Sequence, residues 1–101
     1  MSNIVIVGSG PAGVSAALYA VRAGVQTTVL TKGPGALDRA ELIQNYYGFA
    51  EPITGAELER RGIEGAKAVG VEFVTTEAVG LTYTDKLTVE TLAGDFPADA
   101  V

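Results

Sequence analysis

The spacing of apolar residues in the first third of the chain predicts a strand, a helix and a second strand. Residues 4–7 are apolar at every position, which is typical of a strand buried on both faces of a parallel sheet. In residues 14–21 the apolar positions recur every three or four residues, so an amphipathic helix is expected, with Pro11 in its first turn and Gly24 after its end. Residues 26–31 are rich in β-branched side chains and indicate a strand. The three elements fit a βαβ unit.

The second half of the chain predicts another helix and then short strands. Thr54 and Glu57 have the spacing of a capping box, in which the Thr hydroxyl accepts from the Glu amide and the Glu side chain reaches back. A helix should therefore begin there, on which Glu57, Glu59 and Glu64 are expected to lie on the exposed face. Gly70 ends it, and a third strand follows. The last part of the chain predicts an antiparallel β-meander of three short strands at residues 79–84, 87–91 and 96–101.

Length and composition favour one small domain. The chain has 101 residues, of which 48% are hydrophobic, and it shows no internal repeat or linker. The predicted fold class is α/β: a Rossmann-like βαβ parallel sheet with an added antiparallel β-meander, in a single domain over residues 1–101.

The absence of cysteine and histidine excludes several kinds of chemistry. Disulfides, zinc sites built on Cys or His, nucleophile systems that use Cys or His, and a dithiol redox pair all need residues that this chain lacks. No metal site and no catalytic residue is assigned. If the chain takes part in redox chemistry, a bound cofactor must carry it.

The charge pattern argues against two classes of partner. Seven Lys and Arg stand against 12 Asp and Glu, and no basic run occurs, so neither a nucleic-acid surface nor an anionic membrane surface is indicated. No stretch approaches the roughly 20 apolar residues of a membrane span, and the N-terminal apolar run is too short for a signal peptide. A cytoplasmic location is the expectation.

A glycine-rich turn separates the first strand from the first helix. Gly8, Gly10 and Gly13 form a G-x-G-x-x-G pattern, with Ser9, Pro11 and Ala12 between them. In this pattern the first glycine permits a tight turn, the second lets a pyrophosphate approach the backbone, and the third lets helix and strand pack closely. The helix N-terminus offers amides and a partial positive charge to the phosphates. The sequence therefore predicts nucleotide binding here; the alternative is a turn that serves packing alone.

The residue that ends the second strand departs from the dinucleotide pattern. An Asp or Glu is expected there to bind the ribose hydroxyls, and this chain has Thr31, followed by Lys32. A Thr hydroxyl can make one hydrogen bond to a ribose oxygen but cannot accept two as a carboxylate does. Two alternatives remain open: Thr31 is an ordinary strand-end residue, and Lys32 is a solvated surface charge.

Three segments resemble the FAD-binding region of the thioredoxin reductase family. They are GSGPAG at residues 8–13, QNYYGF at 44–49 and TGAEL at 54–58, and the resemblance runs through essentially the whole chain. It implies a flavoprotein oxidoreductase in which electrons pass from NAD(P)H through FAD. Some members of the family carry Thr after the second strand, so Thr31 is compatible with it.

The resemblance also implies which residues bind the cofactor. Thr31 and Lys32 would border the adenosine ribose, and Asn45 would approach the flavin end, unless the loop that contains Asn45 only packs onto the sheet. The residues implied to lie against the FAD pyrophosphate are Gly8, Ser9, Gly10, Pro11, Ala12 and Gly13.

The family's pattern continues beyond the last residue of this chain. The chain is therefore expected to be a fragment of a longer flavoprotein and to be inactive in isolation. Two alternatives remain open at this point. One is a non-catalytic module that binds NAD or ADP through the same turn; the other is an apo structural fragment that self-associates into a homo-oligomer through an uncovered sheet edge.

Overall fold

A computed structural model of the chain describes residues 2–33, 39, 42–44, 47–48 and 50–101. In chain order, the helices and strands are β1 (Asn3–Val7), α1 (Pro11–Arg22), β2 (Gln26–Thr31), α2 (Gly55–Ala68), β3 (Glu72–Thr75), β4 (Ala78–Tyr83), β5 (Leu87–Thr91) and β6 (Gly94–Ala98). Within these ranges, none of the helices has the length and apolar content needed to cross a bilayer.

The first three strands form a parallel sheet with β2 between β1 and β3. Asn3 lies opposite Gln26 in the register of β1 and β2, and Thr28 lies opposite Glu72 in that of β2 and β3. Because all three strands are parallel, their carboxyl ends meet at one edge of the sheet. The prediction of a βαβ unit is confirmed, with β2 spanning the expected residues 26–31.

The two faces of the parallel sheet are covered by different layers. Successive residues of a strand point to opposite faces, and Val29 and Leu30 divide accordingly. Val29 packs with the helices α1 and α2, in a cluster of Val14, Ala17, Val29, Ala66 and Val71. Leu30 packs with the other sheet, in a cluster of Val5, Leu30, Val89 and Ala98. The molecule thus has three layers: helices, parallel sheet and antiparallel sheet. The predicted fold class is confirmed.

The antiparallel sheet is the meander β4–β5–β6, but its last strand differs from the prediction. Residues 96–101 were expected to form one strand, and this is wrong: β6 ends at Ala98, and Ala100 forms a parallel bridge with Ile4 of β1. The Val5 amide donates to the Ala100 carbonyl at 3.0 Å. Between the two sheets, the Asn3 amide donates to the Asp99 carboxylate at 2.8 Å and holds the pKa of Asp99 below its usual range. The six residues are therefore divided between two sheets.

Helix α2 begins with half of the predicted capping box. The Thr54 hydroxyl accepts from the Glu57 amide at 3.2 Å, as expected. The Glu57 carboxylate does not reach back, because it accepts from the side chains of Arg60 and Arg61 instead. These hydrogen bonds lower the pKa of Glu57 from 4.5 to about 2. The arginines one turn away provide charged donors, and these replace the neutral backbone donor of the capping box.

A glycine in the middle of α2 provides a first prediction. Gly65 is exposed, and a Cβ placed on it meets nothing within 4 Å. Since glycine in a helix interior is less favourable than alanine by about 0.5–1 kcal/mol, Gly65→Ala should raise the free energy of unfolding by that amount. Urea unfolding followed by circular dichroism measures it. An unchanged or lower midpoint would show that α2 is not a regular helix at this position.

The ion pairs of Glu57 predict how stability depends on pH. The pKa of Glu57 is lower in the folded chain, so the stabilisation from its ion pairs is present above pH 4.5 and is lost as the pH falls towards 2. The difference in urea midpoint between the wild-type chain and Glu57→Gln should therefore shrink over that interval. The effect is small because the pairs are exposed. Asp95→Asn, which removes a carboxylate outside these ion pairs, is the control. A difference that stays constant from pH 6 to pH 2 would contradict this assignment.

Candidate functional site

The turn after β1 is held at the carboxyl edge of the parallel sheet by a glycine and a backbone hydrogen bond. Gly8 has φ 110°, a conformation that side chains other than glycine rarely adopt. Its amide donates to the Leu30 carbonyl at 2.8 Å. The turn is therefore tied to β2 as well as to β1, and its position follows from the register of the sheet.

The third glycine lets α1 pack directly on this turn. A Cβ on Gly13 would collide with the carbonyl oxygen of Gly8 and would come within 3.5 Å of the Ile6 side chain. Backbone therefore touches backbone where the helix crosses the turn, and a methyl group would push the two apart. This contact is the physical reason for the predicted packing role of Gly13.

The second glycine faces open space at the start of α1. Gly10 is the N-cap residue, with φ −70° and ψ 178°, and no side chain caps the helix there. A Cβ on Gly10 meets nothing within 4 Å. The first hydrogen bond of the helix runs from the Val14 amide to the Gly10 carbonyl at 3.0 Å. Amides of the first turn, such as that of Ala12, have no carbonyl acceptor within the helix, and together with the helix dipole they favour an anion.

Hydrogen bonds centred on the Thr31 hydroxyl join this turn to the loop after β2. The Ser9 and Thr31 hydroxyls share a hydrogen bond of 2.7 Å. The Gly33 amide donates to the Thr31 hydroxyl at 3.1 Å, and the Gly33 carbonyl lies 3.4 Å from the same oxygen. Thr31 therefore holds together the two loops that leave adjacent strands.

Two clefts lie at the carboxyl edge of the sheet, one on each face, each with a volume of about 240 Å³. The helix-side cleft is lined by Ser9, Thr31, Gly33, Glu59, Ile63, Lys67, Phe73 and Thr75. The meander-side cleft is lined by Val7, Gly8, Leu30, Lys32, Thr76, Glu77 and Ala78. The turn after β1, residues 8–13 with the start of α1, is called the phosphate turn. This turn and the loop after β2 contribute to both clefts, so a ligand seated on the turn has polar and apolar walls on either side.

Each cleft is lined by one residue that has a buried polar atom without a hydrogen-bond partner in the described part of the chain. The residue is Glu59, through Oε2, in the helix-side cleft and Thr76, through Oγ1, in the meander-side cleft. Buried polar groups are nearly always satisfied by protein or water, so Glu59 and Thr76 are candidate contacts of a ligand. Across the meander-side cleft, Lys32 Nζ lies 3.5 Å from Glu77 Oε1, and both side chains are exposed.

An interhelix cavity of about 140 Å³ adjoins the helix-side cleft. It lies between α1 and α2 and has mostly apolar walls, among them Val14, Leu18 and Leu58. Ser9 and Glu59 line both this cavity and the helix-side cleft. The first two turns of α2 therefore lie close to the phosphate turn, which neither motif spacing nor periodicity indicates.

Most of the residues singled out from the sequence lie at this one edge. Residues 8–13 form the turn and the start of α1; Thr31 ends the neighbouring strand, and Lys32 follows it. Asn45 lies outside the described residues. The prediction that Glu59 lies on an exposed face together with Glu57 and Glu64 is wrong, because Glu59 turns one carboxylate oxygen into the interior. Glu59 and Thr76 were missed because their burial depends on how α2 and the β3–β4 connection pack. Over the residues that the structure describes, no group of three or more acidic side chains is arranged to hold a metal ion.

Comparison with known proteins identifies the family. The profile of the pyridine nucleotide-disulphide oxidoreductases matches residues 2–101. The thioredoxin reductase of Aquifex aeolicus is 42% identical over 79 residues, which are 76% of this chain and 24% of that protein. The thioredoxin reductase of Peptoclostridium litorale is 37% identical over an alignment of 102 positions that covers 98% of this chain and 32% of that protein.

Solved structures agree with the sequence comparison. A thioredoxin reductase from Gloeobacter violaceus superimposes with a TM-score of 0.91 at 33% identity, covering 96% of this chain and 32% of that one. The atypical thioredoxin reductase of Desulfovibrio vulgaris Hildenborough gives a TM-score of 0.88 at 38% identity, covering 97% of this chain and 33% of that one. This chain spans 24% to 33% of the length of these relatives. By its sequence profile and its fold, the chain belongs to the pyridine nucleotide-disulphide oxidoreductase family and is similar to part of the thioredoxin reductases.

Proposed function

We propose that this chain is the FAD-binding portion of a thioredoxin-reductase-like oxidoreductase, with residues 1–101 acting as one nucleotide-binding unit. The observation that carries the proposal is the geometry of the phosphate turn. Gly8 and Gly13 hold the turn against β2 and α1, while the space above Gly10 stays open at the positive end of a helix. Membership of the family supports FAD as the nucleotide and NAD(P)H as the electron donor of the whole protein.

The residues at the carboxyl edge fit a dinucleotide diphosphate. The open space over Gly10 leaves room for phosphate oxygens to approach the first-turn amides of α1, which are donors without helical acceptors. Glu59 and Thr76 line the clefts on the two sides of the turn, and each has a polar atom without a hydrogen-bond partner among the described residues. An adenosine diphosphate group can therefore exchange its water contacts for these donors and acceptors.

The role of this chain in the reaction is to bind and orient. FAD, when bound, would supply the hydride-accepting chemistry of its flavin. The backbone of residues 8–13 would hold the diphosphate, and Thr31 and Lys32 would border the ribose. Asn45 is the residue of this chain assigned to the flavin end. No catalytic acid or base is assigned here.

A second candidate function is a module that binds ADP or NAD without catalysis. It is favoured by one observation: the described residues at this edge are those assigned to the diphosphate and the ribose, groups that ADP and NAD share with FAD, whereas Asn45, assigned to the flavin, lies outside the described residues. An absorbance spectrum of the purified chain separates the two candidates. Bound flavin supports the flavoprotein, and colourless protein that binds ADP and FAD with equal affinity in calorimetry supports the module.

Substitution of Gly10 tests the phosphate turn directly. The backbone angles of Gly10 are open to alanine, so Gly10→Ala should fold with little loss of stability, while its methyl group occupies the space proposed for the diphosphate. The affinity for ADP should fall at least about tenfold, which corresponds to about 1.4 kcal/mol. Isothermal calorimetry measures it.

Two further alanine variants complete this test. Gly65→Ala adds the same methyl group away from the turn and should bind ADP like the wild-type chain. Gly13→Ala should instead lower the thermal stability, because its Cβ meets the Gly8 backbone. If Gly10→Ala bound ADP with unchanged affinity, the assignment of the diphosphate to this turn would be wrong.

A further inference from the structure

We infer that Glu59 is the carboxylate that accepts the ribose hydroxyls of the bound adenine nucleotide, in place of the acidic residue that the end of β2 lacks. This inference rests on the proposed nucleotide-binding function and names a specificity-determining residue within that site. It starts from three observations: the bonding of Thr31, the burial of Glu59 and the position of the helix-side cleft.

The Thr31 hydroxyl is already engaged within the protein. It accepts from the Gly33 amide at 3.1 Å, shares a hydrogen bond with the Ser9 hydroxyl at 2.7 Å, and lies 3.4 Å from the Gly33 carbonyl oxygen. A hydroxyl has one proton and two acceptor lone pairs, so these three contacts use its capacity. Thr31 is therefore a positioning residue that joins the phosphate turn to the next loop, and another group must accept from the ribose.

Glu59 has a carboxylate without a partner in the part of the chain that the structure describes. Its Oε2 is buried and accepts no hydrogen bond there, while the residue as a whole is only half-buried. The residue lines the helix-side cleft together with Ser9 and Thr31, and the interhelix cavity together with Gly10. It thus lies beside both the phosphate turn and the end of β2, although it is 28 positions after Thr31 in the sequence.

The chemistry of the cleft favours a hydroxyl as the partner of this carboxylate. A buried acceptor without a donor is unfavourable, and hydrogen bonds to a charged group are among the stronger ones. Lys67, a cation that lines the same cleft, lies over the Phe73 ring at 5.7 Å, and no described salt bridge joins it to Glu59. A neutral pair of ribose hydroxyls, one linkage away from the diphosphate, supplies two donors without charge repulsion. A 2′-phosphate on that ribose would be repelled.

A substitution of matched size tests the inference with two nucleotides. Glu59→Met removes both carboxylate oxygens and keeps the side-chain length, so the affinity for ADP should fall about tenfold, since each 1.4 kcal/mol is a factor of ten. The affinity for 2′-deoxy-ADP should be weaker than that for ADP in the wild-type chain and should change little in Glu59→Met. The wild-type chain should bind ADP more tightly than ADP that carries a 2′-phosphate, and this difference in affinity should be smaller in Glu59→Met.

A control on the same helix separates this effect from a general change in charge. Glu64 is exposed and pairs with Arg60 at 2.8 Å, so Glu64→Met should leave both affinities unchanged. Urea unfolding gives a second readout: the midpoint of Glu59→Met should not fall, because the variant loses a buried carboxylate oxygen without a partner.

The possible failures are distinguishable by calorimetry. If Glu59→Met binds ADP as tightly as the wild-type chain, the inference is wrong and the proposed function stands. Tighter binding by the variant would also overturn it, because Glu59 would then act by repelling the phosphates. If the wild-type chain binds neither ADP nor FAD, the proposed function fails and the inference fails with it.

Discussion

The backbone contact between Gly13 and Gly8 is the constraint on which the rest of the site depends. Because no side chain separates them, α1 can begin directly above the end of β1. The hydrogen bond from the Gly8 amide to the Leu30 carbonyl then ties the same turn to β2. Two strands and one helix therefore fix the direction of the helix N-terminus, and with it the direction of the partial positive charge that favours a phosphate.

The packing of three layers explains how a chain of this length fixes the position of the turn. The parallel sheet is covered by helices through the cluster around Val29 and by the meander through the cluster around Leu30. The chain then returns to the parallel sheet, where Ala100 pairs with Ile4. The C-terminal end of the described chain thus stabilises β1, the strand that leads into the phosphate turn. The core lies on both sides of the sheet, while its carboxyl edge, with the two clefts, remains accessible.

The βαβ unit and the phosphate turn could be predicted from the sequence because both depend on local patterns. The apolar run of β1, the helical spacing of α1 and the glycines between them are adjacent in the chain. The burial of Glu59 could not be predicted in this way, since it depends on the packing of α2 against a turn about 50 positions earlier in the chain. The division of residues 96–101 between two sheets also depends on contacts between distant segments of the chain. The spacing of these residues alone predicts a single strand. The Glu57 carboxylate does not reach back to the helix start, because Arg60 and Arg61 lie one turn further along α2 and donate charged hydrogen bonds to it.

The central claim is that the phosphate turn is formed before the nucleotide binds and that the nucleotide binds there. The most direct test is to follow the amide chemical shifts of the ¹⁵N-labelled chain during a titration with ADP. The account predicts slow hydrogen exchange at the Gly8 amide in the ligand-free chain, since that amide is bonded to Leu30. It further predicts that ADP shifts mainly the amides of residues 8–13 and 31–33. Rapid exchange at Gly8, or ADP-dependent shifts centred elsewhere in the chain, would contradict it.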